Sequence, residues 1–385
     1  MRTDYLRRTI LAGSALLLCS SLLQAQTSLK PKYTNSSVFA GIEVGAKGVK
    51  LSVVEVGKNA QSNGAFNIMK DTSVNTDFIT FSQPTSDATL EGLYSLYNKA
   101  IVDYKIPSNR VYTVVSSGVK MQAEKDNKTA DVTALISSFK TRIKEPERNV
   151  EVVDVLQEAR LSHLGIIPES RRYTTFLIDI GSGNTKGGYF PYGNTDQFKL
   201  FQLNWGTKST ANATEKRTDE FDKTLTNYNK QLYRVLATAE NTELIYAVNA
   251  SGAYPLSDNV AFSGGIAWAV ATLLHPEQYG KNAVSVSFEE VTKFADLLYS
   301  NIKMFSDTEI PNRVPEDVDK IALAKEVKRV NTVFDQRALM AGTGLMLKIM
   351  RQFASIYESK QFILIKNGQV GWISAYVDQA IDKQK

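Results

Sequence analysis

Two copies of one short motif, an acidic residue two positions before a glycine, constrain the fold more than any other sequence feature. In the second copy, the apolar run Phe176–Ile180 contains one acid, Asp179, and Gly181 and Gly183 follow it. This pattern predicts a buried strand, a tight turn whose backbone amides can face outward, and a returning strand. It is not a dinucleotide fingerprint, because no helical pattern follows the glycines. It is not a Walker loop, because no Gly-Lys-Ser/Thr stands at the required spacing.

The first copy changes how the motif is interpreted. Taken alone, one such motif is best explained as an ordinary glycine hairpin with a solvated aspartate. In the segment Val38–Val56, however, Glu43 stands where Asp179 stands, Gly45 is the following glycine, and Lys47 lies in the turn. Two such hairpins, separated by about the length of a small domain, predict duplicated halves that face one cleft. This layout resembles the actin-like superfamily, which includes heat-shock chaperones and sugar kinases.

Composition narrows the classes of partner. The 385 residues are 43% hydrophobic, which is enough for two sizeable cores. The formal net charge is +5, and no basic block or aromatic-basic interleaving stands out, so we expect no nucleic-acid partner. A mild positive excess suits a small polyanionic substrate equally well.

Residues 1–25 resemble a secretory signal peptide. Three arginines and one aspartate precede the apolar run 10–23, and Ala25 supplies a small residue before the expected cleavage point. A retained membrane anchor is the alternative, but the run is short and is interrupted by glycine and serine residues. We therefore expect an exported, periplasmic protein without a stable membrane anchor.

Removal of this segment affects charge and cysteine content. It takes away three Arg and one Asp, a net of +2, so the mature chain would carry +3. Cys19 is the only cysteine, so the mature chain would form no disulfide and no thiolate metal site. The bulky Leu18 before Cys19 argues against a lipoprotein.

The rest of the chain divides into a lead-in and two domains. Residues 26–37 are polar and are expected to form a flexible lead-in. Residues 38–170 would form the first domain and residues 171–385 the second, with a C-terminal helix packing back on the first. Periodicity predicts, in chain order, a helix over Asp87–Tyr104, a strand over Arg110–Val115, a helix over Asp131–Ile143, a strand over Val150–Val155 and a helix from Gln157.

Three of these positions allow two interpretations. The segment Ser116–Lys120 is either a solvated turn or a pocket of hydroxyl and amide groups with Lys120 on an anion. Glu158 lies in the first turn of a helix, where an acid stabilises the helix dipole, and this role and a catalytic one are about equally supported. His163 on the same helix is expected to be a packing or surface residue rather than a base.

The order of these segments resembles the exopolyphosphatase and guanosine-pentaphosphate phosphohydrolase family (Ppx/GppA). Residues 43–48 match its opening Asp-x-Gly-Ser-Asn-Ser hairpin, and residues 178–186 match its Ile-Asp-Ile-Gly-Gly-Gly-Ser-Thr-Glu hairpin. The other matching segments are 116–120, 157–160, Leu203–Lys208, Ala261–Ala267, Ser287–Tyr299 and 366–371. The resemblance covers nearly the whole mature chain and implies the two core domains without the extra helical domain of longer members.

The resemblance implies a site for phosphoanhydrides, in which glycine turns supply amides and lysines supply charge. Glu158 would orient the attacking water, and Glu43 and Asp179 would help to hold Mg²⁺ through water. The expected phosphate-binding residues are Gly45, Lys47, Ser117, Lys120, Gly181, Ser182, Gly183, Asn184, Thr185, Lys186, Gly206, Lys208, Gly264 and Gly265.

Three departures from the family pattern bear on catalysis. Glu43 replaces an aspartate, residues 46–48 lose two hydroxyls, and Lys186 replaces a glutamate of the second hairpin. Because that lysine stands where a second acid would help to hold Mg²⁺, it argues against metal binding and turnover. Lys47 and Lys186 are expected to occupy equivalent places in the two hairpins and to put two positive charges into the cleft.

Together these patterns predict an α/β protein with two actin-like (ribonuclease H-like) ATPase-type domains and an interdomain cleft. The favoured function is binding of polyphosphate or a related phosphoanhydride outside the cytoplasm, with exopolyphosphatase-like hydrolysis if the site is active. A non-catalytic phosphate- or polyanion-binding relative is the first alternative. An actin-like ATP-binding assembly protein is the second, and export argues against it. The oligomeric state stays open, with a dimer plausible.

Overall fold

The computed structural model describes residues 29–58, 60, 66–218, 220–253, 256–354, 359–366, 368 and 371–382. The expected signal peptide lies outside these residues, and so do Asn367, Gln369 and Val370 of the closing glycine motif. None of the helices within the described ranges combines the length and the apolarity that a bilayer crossing requires.

The first half of the chain forms a five-stranded sheet of order β3-β2-β1-β4-β5. Its strands are β1 Ser37–Val44, β2 Gly48–Val56, β3 Phe66–Asn75, β4 Val111–Val115 and β5 Val150–Val152. β1, β2 and β3 form an antiparallel meander, while β4 lies parallel to β1 and β5 parallel to β4.

The second half repeats this plan in a six-stranded sheet of order β10-β11-β9-β6-β7-β8. Its strands are β6 Thr175–Ile180, β7 Thr185–Tyr189, β8 Lys199–Leu203, β9 Asn259–Ser263, β10 Ala283–Val286 and β11 Gln361–Ile365. β6, β7 and β8 form the meander, and β9 lies parallel to β6. Each expected acid-glycine hairpin is thus the first hairpin of its sheet, and the predicted α/β class is confirmed.

Helices cover the sheets. In chain order they are α1 Gln83–Asn98, α2 Ser117–Lys125, α3 Thr129–Arg142, α4 Val155–Ile166, α5 Glu169–Arg172, α6 Thr207–Arg217, α7 Leu225–Ala239, α8 Ile245–Ser251, α9 Gly265–Leu274, α10 Phe288–Ser300, α11 Lys320–Val333, α12 Gln336–Ala354 and α13 Gly371–Asp382. Two π-helical segments, Lys99–Asp103 and Glu240–Leu244, continue α1 and α7. Burial of apolar side chains between helices and sheets supplies most of the favourable free energy of such a fold.

Helix α13 returns from the end of the chain to the first domain. It packs against α4 and β1, and its side chains Trp372, Ile373 and Val377 share a buried cluster with the first sheet. The approach is close, because a Cβ atom built on Gly165 of α4 would lie 2.0 Å from the carbonyl oxygen of Gly371. Glycine at position 165 is therefore required by the contact between the two backbones.

Local side-chain chemistry explains where the predicted boundaries differ from the observed ones. Helix α1 begins earlier than expected because Ser82 forms a capping box with Thr85. The strand expected over Val150–Val155 ends at Val152, since the Asp154 carboxylate accepts a hydrogen bond from the Gln157 amide and caps α4.

In the expected lead-in over residues 26–37, the segment 32–36 is hydrogen-bonded to Glu55 of β2. The buried Glu55 carboxylate accepts hydrogen bonds from the amides of Lys32 and Tyr33, at 2.8 and 2.7 Å, and from Ser36 Oγ at 2.5 Å. A buried carboxylate must be satisfied by hydrogen bonds. These donors therefore hold the lead-in against β2.

Candidate functional site

Three carboxylates meet where the two hairpins face each other. Glu43 lies near the end of β1, Asp179 near the end of β6, and Glu158 in the first turn of α4. Asp179 Oδ1 accepts a hydrogen bond from Ser263 Oγ at 2.9 Å, and Glu158 Oε2 accepts one from the Ser117 amide at 2.8 Å. We call Glu43, Glu158 and Asp179 the acid cluster. The expected catalytic and metal-binding acids are thus brought together.

Lys186 lies inside the acid cluster rather than in an open cleft. Its Nζ atom is 2.8 Å from Glu158 Oε1 and 3.7 Å from Asp179 Oδ2. Only 8% of the residue is exposed. The ammonium group is therefore committed to two acids, and the expectation that Lys186 contacts phosphate directly does not fit this geometry.

The strand register corrects the expected pairing of the lysines. In the second hairpin Asp179 lies directly opposite Lys186, and in the first hairpin Glu43 lies directly opposite Lys50. Lys50, not Lys47, is thus the structural counterpart of Lys186, while Lys47 lies in the turn between β1 and β2. Directly opposite residues of an antiparallel pair have Cβ atoms about 4.5–5.5 Å apart, so each hairpin places a lysine beside its own acid.

Burial raises the pKa values of the acid cluster, and the neighbouring lysine charges lower them. Burial raises the pKa of Glu43 to about 7, even though Lys50 acts in the opposite direction. Burial also raises the pKa of Asp179 despite the opposing Lys186 charge. For Glu158 burial acts in the same direction, but the Lys186 ammonium and the Ser117 amide outweigh it and hold the pKa below its usual range. Glu158 is therefore ionised and fully hydrogen-bonded.

The residues present do not fit the divalent metal that the family resemblance implies. Among the residues that the structure describes, no group of three or more His, Cys, Asp or Glu side chains is arranged to hold a metal ion. Mg²⁺ requires octahedral oxygen ligands with several waters. The ammonium group of Lys186 instead contacts both Glu158 and Asp179.

In both glycine turns, one backbone amide donates a hydrogen bond to a carbonyl of the same turn. The amide of Gly45 donates to the Gly48 carbonyl and the amide of Gly181 to the Asn184 carbonyl, both at 2.9 Å. These two amides close their turns, so their hydrogen bonds are directed into the turn and not towards the cleft. In the second turn, Gly183 has open space around it, since an added Cβ would meet nothing within 4 Å.

The start of α6 is packed against the second turn. The amide of Thr207 donates to the Gly181 carbonyl at 2.9 Å, and that of Lys208 to the Ser182 carbonyl at 2.8 Å. A Cβ atom on Gly206 would lie 2.6 Å from the same Gly181 carbonyl. Gly206 therefore permits close packing, and the first-turn amides of α6 are already used.

A cleft of about 440 Å³ opens beside the acid cluster, between the two domains. Most of its wall comes from the first turn, α2, the second turn and α6, and Ile79 and Asn204 complete it. The lining residues are Ala46, Lys47, Ile79, Gly118, Met121, Gln122, Lys125, Ser182, Gly183, Asn184, Asn204, Lys208, Ser209 and Asn212. Three lysines and several neutral amides thus face the same space.

Lys47 and Lys208 approach each other across this cleft. Lys47 Nζ forms an ion pair with Asp77, and its side chain is 39% exposed. The proximity of the Lys47 side chain lowers the pKa of Lys208. Two ammonium groups from opposite domains therefore lie close together, and one of them is ion-paired with Asp77.

The remaining predicted residues lie in three other environments. Lys120 Nζ lies 4.0 Å from Glu124 and does not line the cleft. Thr185 Oγ1 donates to the Trp205 carbonyl at 2.7 Å. Gly264, with φ +92°, packs against the Ile180 carbonyl.

Gly265 lines a second cavity of about 610 Å³, whose walls come from the second domain and from Lys47 of the first. Gly181 lines this cavity too, and Lys47, Ser182, Lys208 and Asn212 border both spaces. Phe334 supplies part of the wall and lies 3.0 Å from a Cβ built on Gly265.

Sequence reasoning missed Lys50 and Lys125. Lys50 follows Glu43 by the same seven positions that separate Lys186 from Asp179, so aligning the two hairpins by their acids would have found it. Lys125 ends α2, and nothing in the local sequence indicates that this helix borders the cleft.

Comparison with known proteins establishes the fold. No protein-family model and no curated protein matches the chain. A solved Ppx/GppA family member from Aquifex aeolicus has 17% identity and a TM-score of 0.59, covering 91% of this chain and 99% of that chain. An exopolyphosphatase from Cytophaga hutchinsonii has 15% identity and a TM-score of 0.51, covering 89% and 98%. An exopolyphosphatase-like protein has 14% identity and a TM-score of 0.54, covering 91% and 100%.

Proposed function

We propose that this chain, which has the two-domain actin-like fold of the Ppx/GppA proteins, binds polyphosphate or a related linear phosphoanhydride and hydrolyses it slowly or not at all. The observation that carries the proposal is the cleft between the domains, which is lined by Lys47, Lys125 and Lys208. Solved proteins with this fold include exopolyphosphatases, which supports a phosphoanhydride as the ligand class.

The charge distribution of the cleft favours a polyanion. Lys47 and Lys208 come from different domains, and the proximity of the Lys47 side chain lowers the pKa of Lys208. Asp77 forms an ion pair with Lys47. Successive phosphates of one chain can neutralise ammonium groups on both walls.

The state of Glu158 argues against efficient turnover. A general base needs a carboxylate oxygen within reach of water. In Glu158, one oxygen is held by Lys186 at 2.8 Å and the other by the Ser117 amide at 2.8 Å. Its lowered pKa also makes it a weak base. We therefore expect the chain to bind a phosphoanhydride but to hydrolyse it slowly or not at all.

Binding measurements on wild type, Lys208→Ala and the control Lys216→Ala test the proposal. Both lysines lie on α6, but Lys216 is exposed in its last turn and does not line the cleft. We expect Lys208→Ala to weaken polyphosphate binding about five- to tenfold, the effect of one exposed charge contact, and Lys216→Ala to stay within about twofold. Affinity should fall as salt is raised. A wild type that does not bind polyphosphate at low salt would refute the proposal.

Export belongs to the same proposal and has its own test. The charged start, the apolar run 10–23 and Ala25 support cleavage near residue 25. N-terminal sequencing of protein from the cell envelope should find a chain that begins close to Gln26. An intact Met1 in the cytosolic fraction would contradict export.

A further inference from the structure

We infer that Lys50 and Lys186 are built-in cations that take the place of a divalent metal at the acid cluster. The inference concerns the cluster beside the cleft and holds whatever anion the cleft binds. It starts from the mismatch between the acids, to which the family resemblance gives a metal, and the ammonium group of Lys186, which contacts two of them.

The duplicated hairpins supply the two lysines in the same way. Lys50 lies opposite Glu43 on the strand that returns from the first turn, and Lys186 lies opposite Asp179 on the strand that returns from the second. Each lysine thus follows from the register of its own hairpin. The two hairpins together place a pair of positive charges among the three acids.

The charges match those of a divalent ion. Two lysines carry a formal +2, and they face the three carboxylates of Glu43, Glu158 and Asp179. Lys50 acts on both Glu43 and Asp179, and Lys186 acts on all three acids. An uncompensated cluster of buried carboxylates is strongly unfavourable, so these lysines perform the neutralising role that a metal has in an all-acid site.

A comparison within the second domain shows what is particular to Lys186. Lys348 is also buried and ion-paired, with a 13% exposed side chain, but it faces the single acid Glu240, with Arg351 3.8 Å from that acid. Lys186, with a 10% exposed side chain, faces two acids directly. Only the Lys186 environment offers converging carboxylates that a metal could use.

The decisive experiment is to exchange the lysine for an acid and supply a metal. Thermal unfolding and Mn²⁺ binding are measured without polyphosphate on wild type, Lys186→Glu and the matched control Lys348→Glu, each in EDTA and in millimolar MnCl₂. Each variant places a new carboxylate beside a carboxylate that is already buried. We therefore expect both variants to lose roughly 5–10 °C in Tm in EDTA. Mn²⁺ should restore Tm by about 5 °C or more in Lys186→Glu alone, because only that variant gains a ligand set.

The wild type gives a second test, which does not depend on whether a variant folds. We expect its Tm to be the same in EDTA and in MnCl₂, and no saturable Mn²⁺ binding in the millimolar range. Mn²⁺ binding by wild type with a raised Tm would overturn the inference. So would a Lys186→Glu variant that responds to Mn²⁺ no more than Lys348→Glu. Neither outcome bears on whether the cleft binds polyphosphate, so the two proposals fail separately.

Discussion

At the scale of single residues, Glu158 shows how one neighbour changes the role of a carboxylate. The resemblance to Ppx/GppA proteins implies a water-orienting acid at this position, and the helix start alone would explain it as a dipole contribution. The structure adds a third role, because Glu158 holds Lys186 and the Ser117 amide together. This role is structural and can be measured as stability.

We expect Glu158→Gln to lower the free energy of unfolding by about 3 kcal/mol, because it leaves the buried Lys186 without its nearest counter-charge. Urea unfolding measures this loss. The control is Glu124→Gln, since Glu124 is 58% exposed and lies 4.0 Å from Lys120. Its effect should stay within about 0.5 kcal/mol. Equal free energies of unfolding for the two variants would contradict a structural role for Glu158.

Glu55 carries a second prediction at this scale, on pH. Burial alone would raise the pKa of Glu55, but hydrogen bonds from Ser36, Lys32, Asn67 and Tyr33 lower it to about 2 from an ordinary 4.5. A carboxyl with a depressed folded pKa stabilises the fold fully above its unfolded pKa. That contribution disappears as pH falls through the folded value.

Glu55→Gln should therefore lower the free energy of unfolding by about 2 kcal/mol at neutral pH. The difference from wild type should shrink as pH is lowered from about 5 towards 2, the range that the two pKa values define. Denaturant unfolding at several pH values measures it. The control Asp103→Asn alters an exposed pair with Lys99 and should show little effect at any pH. A pH-independent difference for Glu55→Gln would contradict the anchoring account.

At the scale of elements, the hairpins were predictable and their exact register was not. The acid-glycine spacing around Asp179 and Glu43 identifies both hairpins, because strand, turn and strand differ in local composition. Which lysine faces which acid depends on turn length, which one hairpin alone does not specify. The equal seven-residue spacing of the two hairpins points to Lys50, and the pairing of Glu43 with Lys50 establishes it. The hydrogen bonds that close the turns at Gly45 and Gly181 are also set by backbone geometry that residue types do not specify.

Tertiary contacts likewise decided what the local sequence left open. Ser116–Lys120 carries no strong helix signal, yet α2 begins at Ser117. Similarly, the residues that line the cleft come from six separate segments of the chain. The order of motifs was enough to predict the fold, but the partners of Lys186 required the folded chain.

The docking of α13 gives a prediction at this scale. Gly165→Ala should lower the free energy of unfolding by about 1–3 kcal/mol, because the new Cβ would lie 2.0 Å from the backbone carbonyl of Gly371. Thermal unfolding measures the loss. Gly280→Ala is the control, since a Cβ there meets nothing within 4 Å. If Gly165→Ala and Gly280→Ala unfold at the same temperature, the close contact between α4 and α13 is not needed.

At the scale of the whole molecule, two separate features take the two roles that a metal site would combine, which are to neutralise the acids and to present positive charge to a ligand. The acid cluster is neutralised from within by Lys186 and Lys50, and the cleft beside it presents Lys47, Lys125 and Lys208 to a ligand. Neither feature calls for a divalent ion. Binding is therefore expected to be indifferent to chelators, while hydrolysis lacks both a metal and a free base.

The measurement that tests this account most directly is polyphosphate binding and phosphate release by the same preparation, with Mg²⁺ and with EDTA. The account predicts saturable binding that is unchanged by EDTA, together with little or no phosphate release in either condition. Lys186→Ala should not create the missing activity on its own, because the variant gains no metal ligand. Brisk Mg²⁺-dependent release that EDTA abolishes and that Lys186→Ala leaves untouched would contradict the account.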